Sequence, residues 1–367
     1  MKSLKIKSSF GSYEVIDAKL SKSFFFKNSK NSIFLVDKNV YKKNKIINKI
    51  KKNLILIDSN ENAKSYLNIS FIIRKIIKKK IKRDSVIYAI GGGIVQDISG
   101  FISSILFRGV KWNFIPTTIL AQCDSCIGGK TSINFDKYKN QIGNFYPPNK
   151  IFLDTSFLET LKIQDIKSGL GEMAHYYLVS NISDWSFYKK NLTFLVKKNF
   201  NKNLMKQLIF RSLRIKKKFI EKDEFDLGPR LILNYGHTFG HAIEKITNYK
   251  IPHGIAVAHG INMSNFFSMK YKLINKKMFS DIENQMNKIV NLSVLKNMNV
   301  NHFLQIVKKD KKNKKNSIRL ILTKGLGKMF IKSINNDAKF VFLMKKYLNY
   351  VSSINVKNFD IRGFNAK

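Results

Sequence analysis

The stretch SVIYAIGGGIVQDISGF, residues 85–101, decides the fold of the first half of the chain. Ser85–Ile90 is an apolar run of strand length, and Ile94–Phe107 has the apolar spacing of a helix. Gly91–Gly93 separates the two. Glycines after a strand let the backbone approach a pyrophosphate, which the amides of the next helix can bind. The stretch therefore predicts a strand–turn–helix unit suited to a dinucleotide.

The dinucleotide fingerprint is incomplete in this stretch. It requires a third glycine for close packing of the helix on the strand, and Gln96 stands at that offset from Gly91 and Gly93. A tight turn between two core elements would explain the same glycines. The motif alone leaves both interpretations open.

Strand-like and helix-like segments alternate around this unit. The further strand-like runs are Ser32–Val36, Leu54–Ile57 and Trp112–Ile115, and Ala63–Lys80 has helical spacing. Such alternation predicts a mostly parallel sheet with right-handed crossovers.

Short apolar runs of strand length become rare after about Leu161, and the second half of the chain is predicted to be helical. The predicted helices are Asp165–Leu178, Phe187–Val196, Asn203–Lys222, Pro229–Lys245, Ile255–Lys272, Lys276–Val290 and Val300–Lys308. A short β-like pair, Ser317–Leu322 and Lys328–Ile331, follows, and the residues from Lys345 onward are predicted to be loose. We expect two domains, residues 1–160 and 161–367.

The formal net charge of the chain is +43 at pH 7, which favours anionic partners. A basic nucleic-acid-binding protein is the alternative to an enzyme, and it predicts tight, salt-sensitive binding to nucleic acid. However, only eight of the 67 basic residues are Arg, whose bidentate fork suits phosphate recognition. The abundance of Lys, Asn, Ile and Phe indicates AT-rich codon bias instead. We expect no specific nucleic-acid partner.

The compartment is predicted from what the chain lacks. No apolar stretch approaches the ~18–20 residues that span a bilayer, and the first thirty residues do not resemble a signal peptide. Cys123 and Cys126 form a single C-x-x-C pair, which we interpret as two ordinary small residues because a structural zinc site would need a second pair. We expect a soluble cytoplasmic protein with no membrane partner.

Histidines are clustered in a chain that is otherwise poor in them. Five of the six are His175, His237, His241, His253 and His259. His237 and His241 share a helix face at i and i+4, as Glu172 and His175 do at i and i+3. Mixed carboxylate and imidazole ligands, three in number, are typical of a catalytic zinc site. The spacing predicts a metal site but does not decide which histidines form it.

Cations and amides also occur near glycines. The segments are Gly128–Thr131, Lys139 with Asn140, and Arg230 with Asn234. Lys, Arg and Asn donors beside backbone amides suit a phosphate or phosphate ester. Arg230 is the most informative of these, since Arg is rare in this chain.

Together these segments resemble one family, 3-dehydroquinate synthase, from about Phe34 to Ile331. The matching motifs are AIGGGIVQDISGF (89–101), FRGV (107–110), PTT (116–118), DSCIGGKT (124–131), KNQIG (139–143), SGLGE (168–172), NYGHTFGHA (234–242) and PHG (252–254). Their order and spacing fit the family throughout. This combination is far more specific than any single motif.

The resemblance implies an α/β plus all-α fold, with an N-terminal Rossmann-like NAD-binding domain and a C-terminal helical metal- and substrate-binding domain. It implies NAD, a divalent zinc or cobalt ion, and a homodimer. It also implies conversion of 3-deoxy-D-arabino-heptulosonate 7-phosphate to 3-dehydroquinate in the shikimate pathway. Transient oxidation of a ring hydroxyl acidifies the neighbouring proton, phosphate is eliminated, the ketone is reduced again, and an intramolecular aldol step closes the carbocycle.

The resemblance also assigns roles to residues. It implies Glu172, His237 and His253 as metal ligands. The residues implied to contact the substrate are Arg108, Asp124, Lys130, Asn140, His175, Lys216, Arg230, Asn234, His241 and a lysine of the Asp310–Lys312 stretch, for which we take Lys311. The residues implied to contact the dinucleotide are Asp37, Glu61, Lys64, Gly91, Gly92, Gly93, Asp97, Thr117, Thr118, Lys130 and Lys139.

Three positions depart from the family pattern. His175 stands where the family has a substrate-contacting lysine, Ile255 stands where it commonly has Glu, and Gln96 replaces a glycine. Imidazole is shorter than a lysine side chain and mostly neutral at pH 7. We expect a lowered activity. Another sugar-phosphate cyclase, a metal-dependent polyol dehydrogenase and a decayed enzyme remain alternatives.

Overall fold

The computed structural model of the chain describes residues 3–28, 30–136, 138–197, 200–296, 298–308, 317–335 and 337–354. The tertiary contacts separate two compact units. The first comprises Met1–Leu161 and Ile209–Leu227, and the second comprises Lys162–Leu208 and Gly228–Lys367.

The strands are β1 (Ser3–Ile6), β2 (Tyr13–Asp17), β3 (Ser32–Asp37), β4 (Leu54–Ile57), β5 (Val86–Gly91), β6 (Lys111–Pro116), β7 (Lys130–Phe135), β8 (Tyr138–Phe145), β9 (Lys150–Leu153), β10 (Ser317–Thr323) and β11 (Met329–Asn335). The helices are α1 (Lys22–Lys27), α2 (Lys38–Lys43), α3 (Tyr66–Lys78), α4 (Gly93–Ile105), α5 (Ile163–Ser180), α6 (Ile182–Leu195), α7 (Lys202–Ile220), α8 (His237–Ile246), α9 (His253–Lys270), α10 (Lys276–Met286), α11 (Ser293–Lys296), α12 (Val300–Lys308) and α13 (Ala338–Ser353).

A seven-stranded sheet organises the first unit, in the order β1-β2-β9-β6-β5-β3-β4. Every neighbouring pair is parallel except β1 with β2. β3 is buried at all six positions, and its apolar run Ile33–Val36 is typical of a strand covered on both faces. The predicted parallel sheet is confirmed.

A β-hairpin and a distant segment of the chain complete the first unit. β7 and β8 pair in antiparallel fashion outside the main sheet. Residues 209–227 are tied to the unit by charge, because the backbone N–H of Lys7 donates to Glu221 and Lys216 pairs with Asp124. This segment brings Lys216 into the unit that contains the glycine turn.

The second unit is helical, apart from the antiparallel pair β10–β11. Helix α9 is its centre, since residues Gly254–Ser268 are buried without interruption. A helix that is buried on every side must be surrounded by other elements, and α5, α8, α10 and α13 pack against it. The predicted helical second half is confirmed.

Two details of the predicted second half are wrong. The predicted helix Pro229–Lys245 is instead a 3-10 turn, Pro229–Asn234, followed by α8. Gly236 has φ +83°, a left-handed conformation that interrupts the helix and that glycine adopts most readily.

The chain beyond Lys345 was predicted to be loose, but α13 continues to Ser353. Burial of Tyr347, Leu348 and Val351 explains the helix. The prediction missed it because Lys and Asn residues lie around these apolar positions in the sequence. Among the described residues, no helix combines the length and the apolar character that a membrane crossing needs.

Candidate active site

Six side chains of the second unit form a polar group that we call the histidine–glutamate cluster. Its members are Glu172, His175, His237, His241, Glu244 and His253. Glu172 and His175 lie one turn apart on α5, and His237 and His253 are the first residues of α8 and α9. One face of α5, one face of α8 and the first residue of α9 therefore supply the whole cluster.

Close contact between α5 and α9 explains why residues distant in sequence meet. A Cβ atom on Gly171 would lie 2.1 Å from the carbonyl oxygen of Gly254. No side chain fits at either position, so the two backbones touch. Glu172 and His253 are the sequence neighbours of these glycines, and the contact brings them together.

Glu172 is the centre of the cluster. Its Oε1 atom lies 3.1 Å from Nε2 of His175 and 3.5 Å from Nε2 of His237, and its Oε2 atom lies 3.4 Å from Nε2 of His253. One ligand atom from each of Glu172, His237 and His253 lies within 4.8 Å of the other two.

The hydrogen bonds made by the Nδ1 atoms of His237 and His253 determine which ring nitrogen of each residue can bind a metal. Nδ1 of His237 lies 3.3 Å from the carbonyl oxygen of Tyr235, and Nδ1 of His253 lies 3.1 Å from Oε2 of Glu244. A carbonyl and a carboxylate can only accept, so both Nδ1 atoms carry the hydrogen. In the neutral rings both Nε2 lone pairs therefore face Glu172.

This arrangement fits a divalent cation. Two imidazole lone pairs converge on a carboxylate, and Oε2 of Glu172 is buried with no hydrogen-bond partner among the described residues. Lone pairs that face one another repel unless a cation lies between them. Two imidazole nitrogens and one carboxylate oxygen are a donor set that zinc binds in catalytic sites.

The electrostatics of the carboxylates agree with this geometry. Burial alone would raise the pKa of Glu172, but the charges that His237, His253 and His175 carry when protonated outweigh it and hold that pKa well below its usual range. Burial likewise opposes ionisation of Glu244, whose pKa is nevertheless lowered, mainly by its hydrogen bond with His253. Both side chains are therefore carboxylates at neutral pH.

Arg230 and Asn234 lie on the 3-10 turn that precedes α8. The Arg230 side chain is buried, and the amide of Asn234 donates to the carbonyl oxygen of Leu231 over 3.0 Å. A buried guanidinium offers several donors to an anion in this part of the second unit. Lys311 lies outside the described residues.

A second polar group occupies the first unit, and we call Lys64, Asp97, Ser132 and Asn140 the lysine–aspartate network. The Lys64 ammonium donates to Oδ2 of Asp97 and to Oδ1 of Asn140, both over 2.7 Å. The Ser132 backbone N–H donates to Asp97 over 3.2 Å. Burial raises the pKa of Asp97, against the influence of Lys64 and Ser132.

Neighbouring side chains extend this network. Asn134 donates to Glu61 over 2.8 Å and accepts the backbone N–H of Asn140, which has φ +54°. Lys139 lies 3.7 Å from Glu61. Sequence reasoning missed Asn134, and nothing in its local sequence distinguishes it from the many other Asn residues.

The glycine turn has the form that a dinucleotide needs. The N-terminus of α4 has no side-chain cap, and the ideal Cβ position of Gly93 meets no atom within 4 Å. Backbone amides of the first helical turn are thus open to an anion. The close packing expected of the third glycine occurs one turn later, at Gly100, where a Cβ would lie 2.6 Å from Thr131.

Gln96, which stands in place of that third glycine, is buried and pairs with Ser125. Its amide donates to the Ser125 carbonyl, and the Ser125 hydroxyl donates back over 2.6 Å. Gln96 therefore links the α4 helix to the turn that carries Asp124. The substitution has a structural role in this chain.

The other candidate dinucleotide contacts lie at the ends of strands. Asp37 is the last residue of β3 and accepts from the backbone N–H groups of Asn39 and Val40. Thr117 is buried just after β6, and the Thr118 hydroxyl accepts the backbone N–H of Ala121. The carboxyl ends of parallel strands are where such a sheet binds its ligands.

Two further ion pairs join predicted substrate contacts. Lys216 donates to Oδ1 of Asp124 over 2.8 Å and to its carbonyl over 2.7 Å. Lys130, an exposed residue, pairs with Asp226, which sequence reasoning missed. Arg108 is exposed, with φ +63°.

The two cysteines flank Asp124 in sequence. Cys123 lies on the π-helical turn Ala121–Ser125 and Cys126 follows that turn. The two residues form no disulfide, both are buried, and burial raises the pKa of the Cys126 thiol to about 12. A thiol of that pKa forms almost no thiolate at neutral pH, so it is a poor nucleophile.

Solved structures show the fold class. The structure described as 2-deoxy-scyllo-inosose synthase complexed with carbaglucose-6-phosphate, NAD+ and Co2+ has a TM-score of 0.82 and 21% identity, covering 95% of this chain and 99% of that one. The structure of ValA (2-epi-5-epi-valiolone synthase) from Streptomyces hygroscopicus, with NAD+ and Zn2+ bound, has a TM-score of 0.81 and 19% identity, covering 94% and 98%. This chain has the fold of these two synthases.

Sequence comparison identifies the family within that class. The family models described as 3-dehydroquinate synthase N-terminal and C-terminal match residues 54–168 and 169–313. The protein named 3-dehydroquinate synthase from Bartonella quintana is 35% identical over 308 residues, which cover 82% of this chain and 81% of that protein. The chain belongs to the 3-dehydroquinate synthase family.

Proposed function

We propose that this chain converts 3-deoxy-D-arabino-heptulosonate 7-phosphate to 3-dehydroquinate and phosphate. The observation that carries the proposal is the convergence of Glu172, His237 and His253 in a chain that both family models match. The polyol dehydrogenase alternative is not favoured, because the family relatives are named as synthases.

The metal would be held by Glu172, His237 and His253. When bound, it supplies a Lewis acid that lowers the pKa of a coordinated hydroxyl. The protein contributes the orientation, since the Nδ1 hydrogen bonds to Tyr235 and Glu244 turn both Nε2 atoms toward Glu172.

The dinucleotide would lie at the N-terminus of α4, beside Gly93. NAD, when bound, supplies a hydride acceptor whose reduced form returns the hydride in the same turnover. The chain supplies the open backbone amides of α4 and the carboxylate of Asp37 at the end of β3. An acidic residue at a strand end can accept hydrogen bonds from ribose hydroxyls.

The remaining residues would hold the substrate. Lys130, Asn140, Arg230, Asn234 and His241 would bind its phosphate and carboxylate, because cations and amides donate to anionic oxygens. Asp124 and Lys216 would bind ring hydroxyls. Their 2.8 Å contact supports this role, since a carboxylate and an ammonium held together can accept from and donate to neighbouring hydroxyls.

The proposal also covers the oligomeric state, the cellular location and the role of each domain. We propose a cytoplasmic homodimer in which residues 1–160 bind NAD and residues 161–367 bind metal and substrate. The exposed side chain of Arg108 supports its proposed reach to the phosphate in a neighbouring subunit. Sedimentation of the purified protein would measure the oligomeric state.

The test is phosphate release by the purified protein with the heptulosonate phosphate, NAD and zinc or cobalt, with each component omitted in turn. We expect release that requires both NAD and metal, with 3-dehydroquinate formed in equal amount. A folded protein that binds NAD and metal but releases phosphate only from a different sugar phosphate would refute the proposed substrate.

A further inference from the structure

We infer that Glu244 is a positioning residue for His253 and strengthens it as a metal donor. Glu244 lies on α8, one turn after His241, and its Oε2 atom accepts the Nδ1 hydrogen of His253 over 3.1 Å. The inference rests on the proposed metal site. It assigns a role to a residue that contacts neither substrate nor dinucleotide in the proposed function.

His253 needs such a partner more than His237 does. The His237 side chain is 11% exposed, whereas that of His253 is 33% exposed. A ring with that much free surface is not held in place by packing alone. The hydrogen bond from Glu244 fixes both the ring orientation and the tautomer that presents Nε2 toward Glu172.

The charge of Glu244 adds to this effect. His237 donates to the neutral carbonyl of Tyr235, whereas His253 donates to a carboxylate. A carboxylate partner makes the opposite ring nitrogen more basic, which strengthens its bond to a metal. His253 is therefore the ligand whose affinity depends on an anionic neighbour.

The alternative to a positioning role is a second metal site that includes Glu244, and an experiment can distinguish the two. Ligand atoms of His241, Glu244 and His253 also lie within 4.8 Å of one another, which would suit a second cation. While Nδ1 of His253 donates to Glu244, that atom cannot bind a metal, so the hydrogen bond and a second site that uses Nδ1 are alternatives. Positioning predicts one metal ion per chain, whereas a second site predicts two.

The experiment uses the full-length protein with Glu244→Gln, Glu244→Asp and Glu244→Ala. Zinc affinity is measured by competition with a chromophoric chelator, zinc content by elemental analysis, and ligand geometry by the visible spectrum of the Co(II) form. Glu283→Gln is the matched control, because Glu283 is another buried glutamate of the second unit and its Oε2 atom accepts a hydrogen bond from the Tyr350 hydroxyl over 2.7 Å.

We expect zinc affinity to fall about 10- to 100-fold in Glu244→Ala, the range seen when outer-sphere partners of ligating histidines are removed. Glu244→Gln keeps an acceptor without the charge and should lose less, and Glu244→Asp should recover part of the loss. The Co(II) spectrum should shift in all three variants. The control should match the wild type in affinity and spectrum.

Two results would overturn the inference. One is zinc affinity in Glu244→Ala and Glu244→Gln within about twofold of the wild type, where the expected loss is tenfold or more. The other is two zinc ions in the wild type and one in Glu244→Gln. The proposed function fails separately, because a chain that makes no dehydroquinate can still lose zinc when Glu244 is changed.

Discussion

The lysine–aspartate network and the histidine–glutamate cluster are both built from buried polar side chains, but their atoms meet in opposite ways. In the network, donors face acceptors, since Lys64 donates to Asp97 and Asn140. In the cluster, the Nε2 lone pairs of His237 and His253 face the carboxylate of Glu172.

Because of this difference, we expect the network to contribute mainly to folding stability and the cluster mainly to metal binding. A network whose donors and acceptors already match stabilises the folded chain, and removing one partner leaves a buried group unsatisfied. A cluster of facing lone pairs gains its full stability only with a cation. Mutations in the network should therefore affect folding first, and mutations in the cluster should affect metal binding and turnover first.

Glu172→Gln tests the cluster and should have the largest effect. The variant loses the charge on which both imidazoles converge. We expect zinc affinity and turnover each to fall more than about a hundredfold, since loss of an outer partner alone costs 10–100-fold. Chelator competition and phosphate release measure the two quantities.

The same variant should remain folded, with a urea midpoint close to that of the metal-free wild type. Glu283→Gln again serves as the control for replacing a buried carboxylate. Retention of tight zinc binding in Glu172→Gln would show that the metal site does not depend on the central carboxylate.

Lys64→Met tests the network and should mainly affect stability. Breaking a buried ion pair costs ~3–5 kcal/mol, and Asp97 is 24% exposed, so we expect a loss of about 2–3 kcal/mol. The double variant with Asp97→Asn should recover part of the loss, because no buried charge is left unpaired. Urea unfolding measures all three proteins.

The control for this prediction is the surface pair of Lys38 and Asp58, whose side chains are 45% and 63% exposed. Lys38→Met should change the free energy of unfolding by less than about 1 kcal/mol. Equal losses in Lys38→Met and Lys64→Met would show that the network does not contribute to stability through its burial.

The sequence predicted four of the seven strands of the main sheet and most helices because their apolar pattern is local, whereas it did not predict β1, β2 and β9. Helical spacing also placed Glu172 with His175, and His237 with His241, on common faces. It could not show that Glu172 meets His253, because that contact depends on Gly171 and Gly254 bringing two backbones together across the unit.

Other residues escaped sequence reasoning for the same physical cause. Glu244 pairs with His253 only because α8 packs on α9, where a Cβ on Gly260 would lie 1.9 Å from the Gly236 carbonyl. The one available signal was its position three residues after His241. The roles of individual site residues came from family resemblance and stay predictions.

His259 is a third kind of buried polar group, which differs from both the network and the cluster because its ring has no hydrogen-bond partner among the described residues. It lies on α9 with His253, it is fully buried, and neither ring nitrogen has a hydrogen-bond partner among the described residues. Burial lowers its pKa to about 3. An unfolded histidine has a pKa of about 6.5, so between these values the unfolded chain binds the extra proton.

His259 should therefore destabilise the protein as the pH falls below about 6.5, by about 1.4 kcal/mol per pH unit down to about pH 3. His259→Leu should remove this contribution, measured by urea unfolding of metal-free protein between pH 7 and pH 5. His302→Asn, at an exposed histidine, is the control. An unchanged pH slope in His259→Leu would show that this imidazole is not kept neutral by burial.

His175→Lys has the smallest expected effect and tests how far the cluster departs from its family. His175 is buried, with Nε2 3.1 Å from Oε1 of Glu172. The family resemblance implies a substrate-contacting lysine at this position. Imidazole is mostly neutral at pH 7, whereas an ammonium donates charge-assisted hydrogen bonds, which are stronger by about 1 kcal/mol. If the substrate anion is bound there, kcat/KM should rise about fivefold in His175→Lys, measured by phosphate release at saturating metal.

The control is His175→Gln, whose neutral side chain also donates hydrogen bonds. It separates the effect of charge from that of hydrogen bonding, and its kcat/KM should not exceed that of the wild type. Unchanged or lower turnover in His175→Lys, with zinc content intact, would mean that the imidazole is adapted to its contact with Glu172 and does not lower the activity.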